Sequence, residues 1–512
     1  MKTDVIIVGA GPTGLSLACQ LIRYGVDFVI FDKKETTTPH SKAIGVQART
    51  LEIYEQIGLA SKLVEQGAIA AKAKMVVGGE VRGEVEFTEM GKGLSPYPFV
   101  LIVEQGKHEK ILYDSIKANG KDVLWNAELE NFLQDESGVK ATVKNATGET
   151  RTIEAKFLVG CDGAKSSVRH SLGLTFEGST FERMFYVADV QIDWKFSHDA
   201  LHVFLMKDTL LAFFPMTGEN QWRIVGTFPE EFAKDEGEVL YEEIEERIKH
   251  NAELNLDITK VNWFSTYKVH TRHVNKFSEG RCFLAGDSAH IHTPAGAQGM
   301  NTGIQDGYNL AWKMALVLKG KASEKILETY NEERLENAEN LLKTTDRFFN
   351  LVASPDAFLA YFRTHIFPYI AGAAFSIDAV KKFAFPRVSQ IGINYRHGSL
   401  SETDGNFSVK AGDRMPYFTI EDASIYDRLR EPKFHLLVYS DGAIGLQNFA
   451  AELKSQYADM LDFSVTPLYP NISEIFGAKT SFVLLLRPDN YIGLISSEVS
   501  VEKLKEYLEK IL

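Results

Sequence analysis

The segment DVIIVGAGPTGLSLACQLIRYGVDFVIFDKK, residues 4–34, leaves the start of the chain little choice of fold. Residues 5–8 form an unbroken apolar run, the pattern of a parallel strand covered on both faces. Gly9-x-Gly11-x-x-Gly14 follows at once. Gly9 permits the turn, Gly11 admits a pyrophosphate, and Gly14 lets the next helix pack on the strand. That helix has an apolar stripe through Leu15, Ala18, Leu21 and Ile22, and its N-terminal end offers positive charge to a diphosphate. Asp32 closes the second strand at the spacing of about 20 residues where a carboxylate accepts bonds from ribose hydroxyls. The unit predicts an adenine dinucleotide site and by itself fits NAD and FAD equally.

A chain of 512 residues has room for about three domains and a cleft between them. Apolar residues at 45% and charged residues at 24% exclude a disordered or fibrous class. The net charge of −13 argues against a polyanionic partner, so no nucleic acid is expected. Cys19, Cys161 and Cys282 form no CxxC pair, which points away from a disulfide framework and toward the cytoplasm. Asp4 and the glycines interrupt the N-terminal apolar run, favouring a buried strand over a signal peptide. The run AFLAYFRTHIFPYIAGAAF from Ala357 is broken by Arg363, His365 and Pro368, so no membrane segment is expected. A monomer or homodimer is expected.

Several later stretches repeat the strand-to-helix theme. SKAIGVQARTLEIYEQIGL from Ser41 has a helical stripe of Leu51, Ile53, Tyr54 and Ile57, with Lys42 and Arg49 as cations near its start. LIVEQGKHEKILYDSIKANG from Leu101 puts Gln105 at a junction, where an amide either caps a helix or bonds a ribose or diphosphate. AKFLVGCDGAKSSVRHSLG from Ala155 reads as a strand, Asp162-Gly163, and a helix capped by Ser166 or Ser167. An acid at the carboxyl end of such a strand lies where open α/β sheets bind ligands.

From about Phe176 the period changes: VQIDW and WRIVGTF alternate apolar and polar residues, and PMTGEN supplies a turn. This predicts an antiparallel sheet with one buried face, roofing a pocket. The acidic stretch 235–247 reads as a solvated helix with Leu240, Ile244 and Ile248 facing inward. After about residue 395 the chain restarts as further strand-and-helix material. The expected units are residues 1–175 and 276–395, two parts of one α/β body, with a sheet-rich substrate domain at 176–275 and a C-terminal domain at 396–512.

A second glycine-rich stretch, LAGDSAHIHTPAGAQGMNTGIQDG, spans residues 284–307. It leaves a short strand and enters a helix with the stripe Ile304, Leu310, Ala311, Met314 and Leu318. Gly286-Asp287 is again at a strand's carboxyl end, and Gly296, Gly299 and Gly303 allow close backbone approach. Asp287 is placed to bond a sugar-like hydroxyl. The amides of Gly299, Met300 and Asn301, with the helix dipole, favour an anionic ring edge beyond it. Reduced flavin is negative at its pyrimidine edge, so this stretch selects FAD over NAD. His290 and His292 have no acid-rich companions, and no metal is expected.

In this order and spacing, Gly9-x-Gly11-x-x-Gly14, Asp162-Gly163 and Gly286-Asp287 resemble the three fingerprints of the single-component FAD-dependent aromatic hydroxylases, the para-hydroxybenzoate hydroxylase-like family. The part after residue 395 resembles the thioredoxin-like C-terminal domain of the phenol, pentachlorophenol and polyketide hydroxylase branch. It holds no cysteine, so disulfide chemistry there is excluded. The resemblance implies an α/β fold with α+β elements: a Rossmann-like FAD-binding domain, an antiparallel-sheet substrate domain and a thioredoxin-like domain. It puts Asp32 at the adenosine ribose, Arg49 and Gln105 at the diphosphate and ribityl region, and Asp287 at the ribityl chain. Asp162, with Gly163, belongs to a motif tied to both FAD and the nicotinamide cofactor. Lys42 is a further cofactor contact and stands where many relatives place arginine. Pro294 would lie near the reactive carbon of the flavin, and Gly299, Met300 and Asn301 would face its pyrimidine; these four are the expected catalytic positions.

The implied activity is reduction of FAD by NADPH or NADH, capture of O₂ as a flavin hydroperoxide, and oxygen transfer to an aromatic substrate, phenolic or polyketide-like. Inactivation of an aromatic antibiotic, or flavin binding without turnover, are the alternatives. A flavoprotein disulfide reductase would need paired cysteines and a second dinucleotide fingerprint, and the chain has neither. A plain NAD-dependent dehydrogenase would leave the Asp287 stretch unexplained. His202, His270, Tyr186 and Arg223, in or beside the predicted sheet, read more readily as structural than catalytic.

Overall fold

The structure, a computed structural model, describes residues 1–39, 43–207, 209–228, 239–253, 256–293, 295–353, 356–374, 377–442, 457 and 459–512. Strand β1 (Val5–Val8) lies inside a six-stranded sheet, which is why its residues do not alternate: Val5, Ile6 and Ile7 are wholly buried. Pro12 opens helix α1 (Pro12–Arg23), its fixed φ suited to a first helical position. The chain returns through β2 (Phe28–Phe31), parallel to β1. Helices α2 (Ala48–Glu55) and α3 (Gln105–Ala118) precede β3 (Phe157–Gly160), which pairs parallel with the other side of β1. More than a hundred residues later β4 (Cys282–Leu284) adds to β3, also in parallel.

One consequence follows from that register. Adjacent parallel strands β4, β3, β1 and β2 end at the same edge of the sheet. Gly286-Asp287, Asp162-Gly163, the Gly9 turn and Asp32 therefore emerge side by side, outside the carboxyl ends where open α/β sheets bind ligands. Helix α4 (Gly299–Leu318) packs against α1 through its glycines. A Cβ at Gly303 would stand 2.4 Å from Thr13 Oγ1 and 2.9 Å from Gly286 Cα, and one at Gly14 would stand 2.0 Å from the Gly9 carbonyl oxygen.

An eight-stranded sheet forms the second body, in the order His290–Ile291, Asp257–Val274, Phe176–Asp193, Gln221–Thr227, Leu210–Pro215, Ala200–Leu205, Lys72–Val77, Glu80–Glu86. Its core includes Val190, Phe213, Trp222 and Ile224. The sheet reaches beyond residues 176–275. Ala200 pairs in parallel with Lys72, so the hairpin 72–86 covers what would otherwise be a bare edge. The helix Tyr241–Ala252 buries Ile244 and Ile248 as its period predicts, whereas Leu240 is 64% exposed because it is the N-cap, outside the helical repeat.

At the C-terminus β5 (Phe434–Ser440) runs parallel to β6 (Leu461–Pro467) and antiparallel to β7 (Phe482–Leu486), which pairs antiparallel with β8 (Ile492–Ser496). The order β8-β7-β5-β6 is the thioredoxin-like arrangement. This domain is fastened by buried charge. Glu333, on α5 (Glu328–Ala353), accepts from Lys313 Nζ and Asn309 Nδ2 of α4 at 2.8 and 2.7 Å and from Arg487. Arg487 also holds Asp489, which accepts from Trp312 Nε1 at 3.1 Å. Burial raises the Glu333 carboxyl, but Arg487 and Lys313 outweigh it and hold its pKa at about 2; burial draws Lys313 down to about 8.

Candidate flavin site

The end of β2 is built around Asp32. Its carboxylate accepts the Ala10 N–H at 2.7 Å and the Lys34 N–H at 2.9 Å, locking the glycine turn to the second strand. Lys34 Nζ sits 3.8 Å from Asp32 and 3.7 Å from Glu109. Gln105, the first residue of α3, donates Nε2 to Glu109 at 2.7 Å and so belongs to this patch. The three glycines divide their work. Gly9 and Gly14 serve close packing, since a Cβ on either would meet backbone at 2.3 or 2.0 Å, while Gly11 has nothing within 4 Å and faces open space.

The middle turn ties its acid to the helix that follows. Asp162 accepts from Ser166 Oγ at 2.5 Å, Ser167 N at 2.7 Å, Ser167 Oγ at 2.9 Å and Val168 N at 3.2 Å. Three of these bonds fall on Oδ2 and one on Oδ1, so Asp162 holds the start of the helix Ser167–Ser171 while Oδ1 keeps an acceptor site. Gly163, at φ +80° with nothing within 4 Å, is the open member of the pair. Arg169, in the same short helix, reads from its sequence context as a surface cation. It instead donates to the Ser288 and Ala164 carbonyls at 2.9 and 2.8 Å, tying the Asp162 turn to the Asp287 turn.

Asp287 is the opposite case. Its carboxylate is exposed and makes no hydrogen bond among the described residues. Burial nonetheless pushes its pKa up, with Asp306 adding to the shift and His290 opposing it. Solvent contact combined with protein on most sides is the setting of an acid in a cleft. Beneath it, Asp306 accepts the Gly286 N–H at 2.8 Å, His290 Nε2 at 2.7 Å and Arg334 Nε at 2.6 Å. Burial raises this carboxyl, but Arg334 and His290 reverse the shift and hold it below its ordinary value.

Farther along, α4 begins at Gly299 with no side-chain cap, so its first-turn N–H groups remain for a ligand. Met300 packs half-buried against the main core. Asn301 is wholly buried: its Oδ1 accepts from Gln47 N and Thr50 Oγ1, and its Nδ2 donates to the Gly45 and Ala297 carbonyls. That side chain therefore fixes α2 and the 43–47 segment to α4, leaving the backbone to face a ligand. His292 packs 3.3 Å from where a Gly299 Cβ would stand, and burial draws its pKa down to about 4. Around this segment Gln47 Oε1, His292 Nε2 and Thr293 Oγ1 are buried without a hydrogen-bond partner among the described residues. Flavin's pyrimidine edge and ribityl chain carry both donors and acceptors, so these orphaned atoms and the unpartnered Asp287 fit FAD. Sequence reading missed Gln47 and Thr13, whose only signals were their places beside the glycine turns.

One correction concerns Arg49. Its guanidinium is 2% exposed, pairs with Glu52 at 3.2 Å, donates to the Asp489 carbonyl at 3.2 Å and stacks over Tyr491 and Tyr308. It is committed to the junction with the C-terminal domain and offers no cation to a diphosphate. Lys42 and Pro294 lie outside the described residues. The polar candidates of the substrate sheet are structural: His202 is buried, bonded to the Ser197 carbonyl and drawn to about pKa 4 by burial. Tyr186 packs edge-on to Phe228, His270 bonds Thr180, and Arg223 forms a two-bonded ion pair with Asp189 at 2.6 and 2.7 Å. Among the described residues no His, Cys, Asp and Glu cluster could hold a metal, and no helix is long and apolar enough to cross a membrane.

A doubly wound sheet with one dinucleotide turn, an acid beside it and a second acid-bearing turn feeding an uncapped helix defines a flavoprotein. The comparisons make the class specific: residues 2–345 match the FAD binding domain family, and the chain belongs to it as a flavin-dependent aromatic monooxygenase that uses FAD. A flavin-dependent monooxygenase of Mycobacteroides abscessus is 31% identical over 99% of both chains. The 6-methylpretetramide 4-monooxygenase of Streptomyces rimosus is 29% identical over 96% of this chain and 90% of its own. Among solved structures, CabE, an aromatic hydroxylase from angucycline biosynthesis, superposes with a TM-score of 0.79 at 27% identity, covering 100% of this chain and 99% of that one.

Proposed function

We propose that the chain hydroxylates a phenolic, multi-ring aromatic compound of polyketide type, using NADPH or NADH and O₂, as a cytoplasmic monomer or homodimer. FAD would lie along the sheet edge: Gly9, Gly11 and Gly14 at the diphosphate, Asp32 and Gln105 at the adenosine, Gly163, Gly286 and Asp287 at the ribityl chain, and the backbone of Gly299, Met300 and Asn301 at the pyrimidine. The observation that carries this reading is Asp287, without a hydrogen-bond partner among the described residues, in the turn that leaves the strand added directly to β3. Bound FAD supplies the oxygen activation that side chains cannot. Asp287 accepts from a ribityl hydroxyl, and the first-turn amides of α4 with the helix dipole steady negative charge at the ring edge. The sheet body, with the hairpin 72–86 attached, would exclude water from the acceptor ring. Its separate sheet supports a substrate unit built mainly from residues 176–275 with the hairpin 72–86 and His290–Ile291 added, and the change to the β5–β8 sheet supports a boundary near 395.

The multi-ring preference rests on the two polyketide-pathway proteins just named, which match nearly the whole chain. The test is consumption of NADH and NADPH across a panel of single-ring phenols, multi-ring phenols and aromatic antibiotics, with product and peroxide measured together. Hydroxylated multi-ring product matching the nicotinamide consumed is expected. Peroxide without product from every compound would end the hydroxylase reading.

A further inference from the structure

FAD takes the chain's one strand-linked GxGxxG turn, yet the activity requires a second dinucleotide. Asp162, the acid that the resemblance ties to the nicotinamide cofactor, spends most of its acceptor capacity on its own helix. A cavity of about 540 Å³ lies elsewhere, between the loop that follows Asp32, the start of α3 and the substrate sheet. Its size falls in the range of small-molecule sites.

The walls suit a nucleotide better than a hydrophobic aromatic. Thr38, Lys107 and Lys110 line the FAD-domain side, and Gln221, Arg223 and Trp263 line the sheet side. Lys107 pairs with Glu104 at 2.9 Å and Lys110 with Asp114 at 2.8 Å. Lys110–Asp114 is an exposed pair within the helix, and Lys107–Glu104 is a half-exposed pair between its first turn and its N-cap; such pairs are worth at most about 1 kcal/mol, so a diphosphate can displace the carboxylates. Trp263 gives a flat wall, and Asn262 donates to Gln221 at 2.9 Å beside it, an amide pair matched to a carboxamide-bearing ring.

The cavity also runs in the required direction. Its outer end is at Thr38, whose N–H is held by Glu109, the partner of Lys34 at the adenosine end of the flavin site. At its inner end Arg223 donates to the Ala43 carbonyl at 3.3 Å. Two residues on, Gly45 touches the flavin site: its carbonyl accepts from Asn301, and a Cβ on it would meet Ala297 at 2.7 Å. The cavity lining thus has neighbours at both the adenosine end and the Gly45 end of the flavin site.

The geometry points to this interdomain cleft as the docking site of the reduced nicotinamide dinucleotide, with its diphosphate at Lys107 and Lys110 and its nicotinamide toward Arg223. The assignment rests on FAD filling the neighbouring site. Bound this way, the dinucleotide gives up a hydride from its ring and leaves as NAD(P)⁺, the hydride's two electrons and proton passing to FAD.

The test is calorimetric titration of the FAD-loaded full chain with the redox-inert tetrahydro forms of NADH and NADPH. Lys107→Glu with Lys110→Glu should weaken binding by about tenfold or more, as reversal of complementary charge does, and Lys107→Arg with Lys110→Arg should restore it to within about threefold. Trp263→Leu should weaken binding by about three- to tenfold through the lost ring contact. FAD content and affinity for an aromatic ligand serve as controls. Unchanged dinucleotide affinity in both the Glu pair and Trp263→Leu, or a loss of aromatic affinity instead, would overturn the assignment. A chain that takes up no FAD at all would overturn the flavin reading along with it; an FAD-replete chain with unaltered dinucleotide binding removes only this site.

Discussion

The two halves of α4 sit in opposite settings. At Gly299–Asn301 the helix starts uncapped beside buried atoms that lack partners among the described residues, with Asp287 nearby making no hydrogen bond to any of them. About two to four turns later, Asn309 and Lys313 enter a buried cluster in which Lys313, Glu333, Arg487 and Asp489 are all met. The difference separates preparation for a ligand from structural closure. A buried polar group is costly without a hydrogen bond, so the unmet Gln47 Oε1, His292 Nε2 and Thr293 Oγ1 beside this helix start suit completion by an outside molecule.

The most severe break is Gly14→Val, whose Cβ would press 2.0 Å from a backbone oxygen that has no freedom to move. It should cost more than about 4 kcal/mol and yield no soluble, FAD-replete protein; a yellow, cooperatively melting variant contradicts the packing role of Gly14. Glu333→Ala should cost about 3–5 kcal/mol by leaving Lys313 and Arg487 buried without their acid, read as a drop in the urea midpoint. The same carboxyl predicts a pH dependence. Its pKa is about 2 in the folded chain against an ordinary 4.5, so its contribution is complete above about pH 4.5 and is lost as pH falls toward about 2. Glu333→Gln should flatten that acid limb, and an unchanged limb would assign the loss to other acids.

Asp287→Ala sharpens the contrast from the open side. Removing a charged acceptor of a ligand hydroxyl is worth about 1.5–3 kcal/mol, a roughly 10- to 150-fold weaker FAD affinity by fluorescence titration. The stability of the FAD-free protein should stay within about 0.5 kcal/mol of the parent; a drop in stability with unchanged affinity would reverse the assignment. The smallest effect belongs to Asp162→Ala, which loses a helix cap worth about 1 kcal/mol and should leave FAD affinity within about threefold. If it matched Asp287→Ala in lost affinity, the capping role would be displaced by direct contact.

Asp32 and Asp162 explain what was legible. Each is an acid after a buried strand, and local pattern found both because strand, turn and helix are neighbours in sequence. Only pairing across the sheet distinguishes them: Asp32 closes on the Ala10 N–H, 22 residues away, whereas Asp162 turns to residues four to six positions ahead. Arg49 is given a diphosphate role by the family resemblance alone, while its local context shows only a cation near a helix start. Its decisive partner, the Asp489 carbonyl, is 440 residues distant, beyond any periodicity. For the same reason the hairpin 72–86 read as part of the α/β body, although its hydrogen bonds go to Ala200–Phe204. The glycine turns were legible throughout, since steric demand at a turn leaves a mark at the residue itself.

Arg487 and Asp489 lie just past β7, while Glu333 and Lys313 belong to the other side of the junction. Evolutionary exchange of the C-terminal domain between relatives therefore cannot proceed as a free cassette swap. A donor lacking that arginine would strand an acid in the recipient's interior, so the four positions should be inherited together, and a chimera splitting them should be rescued by transplanting the missing half of the quartet.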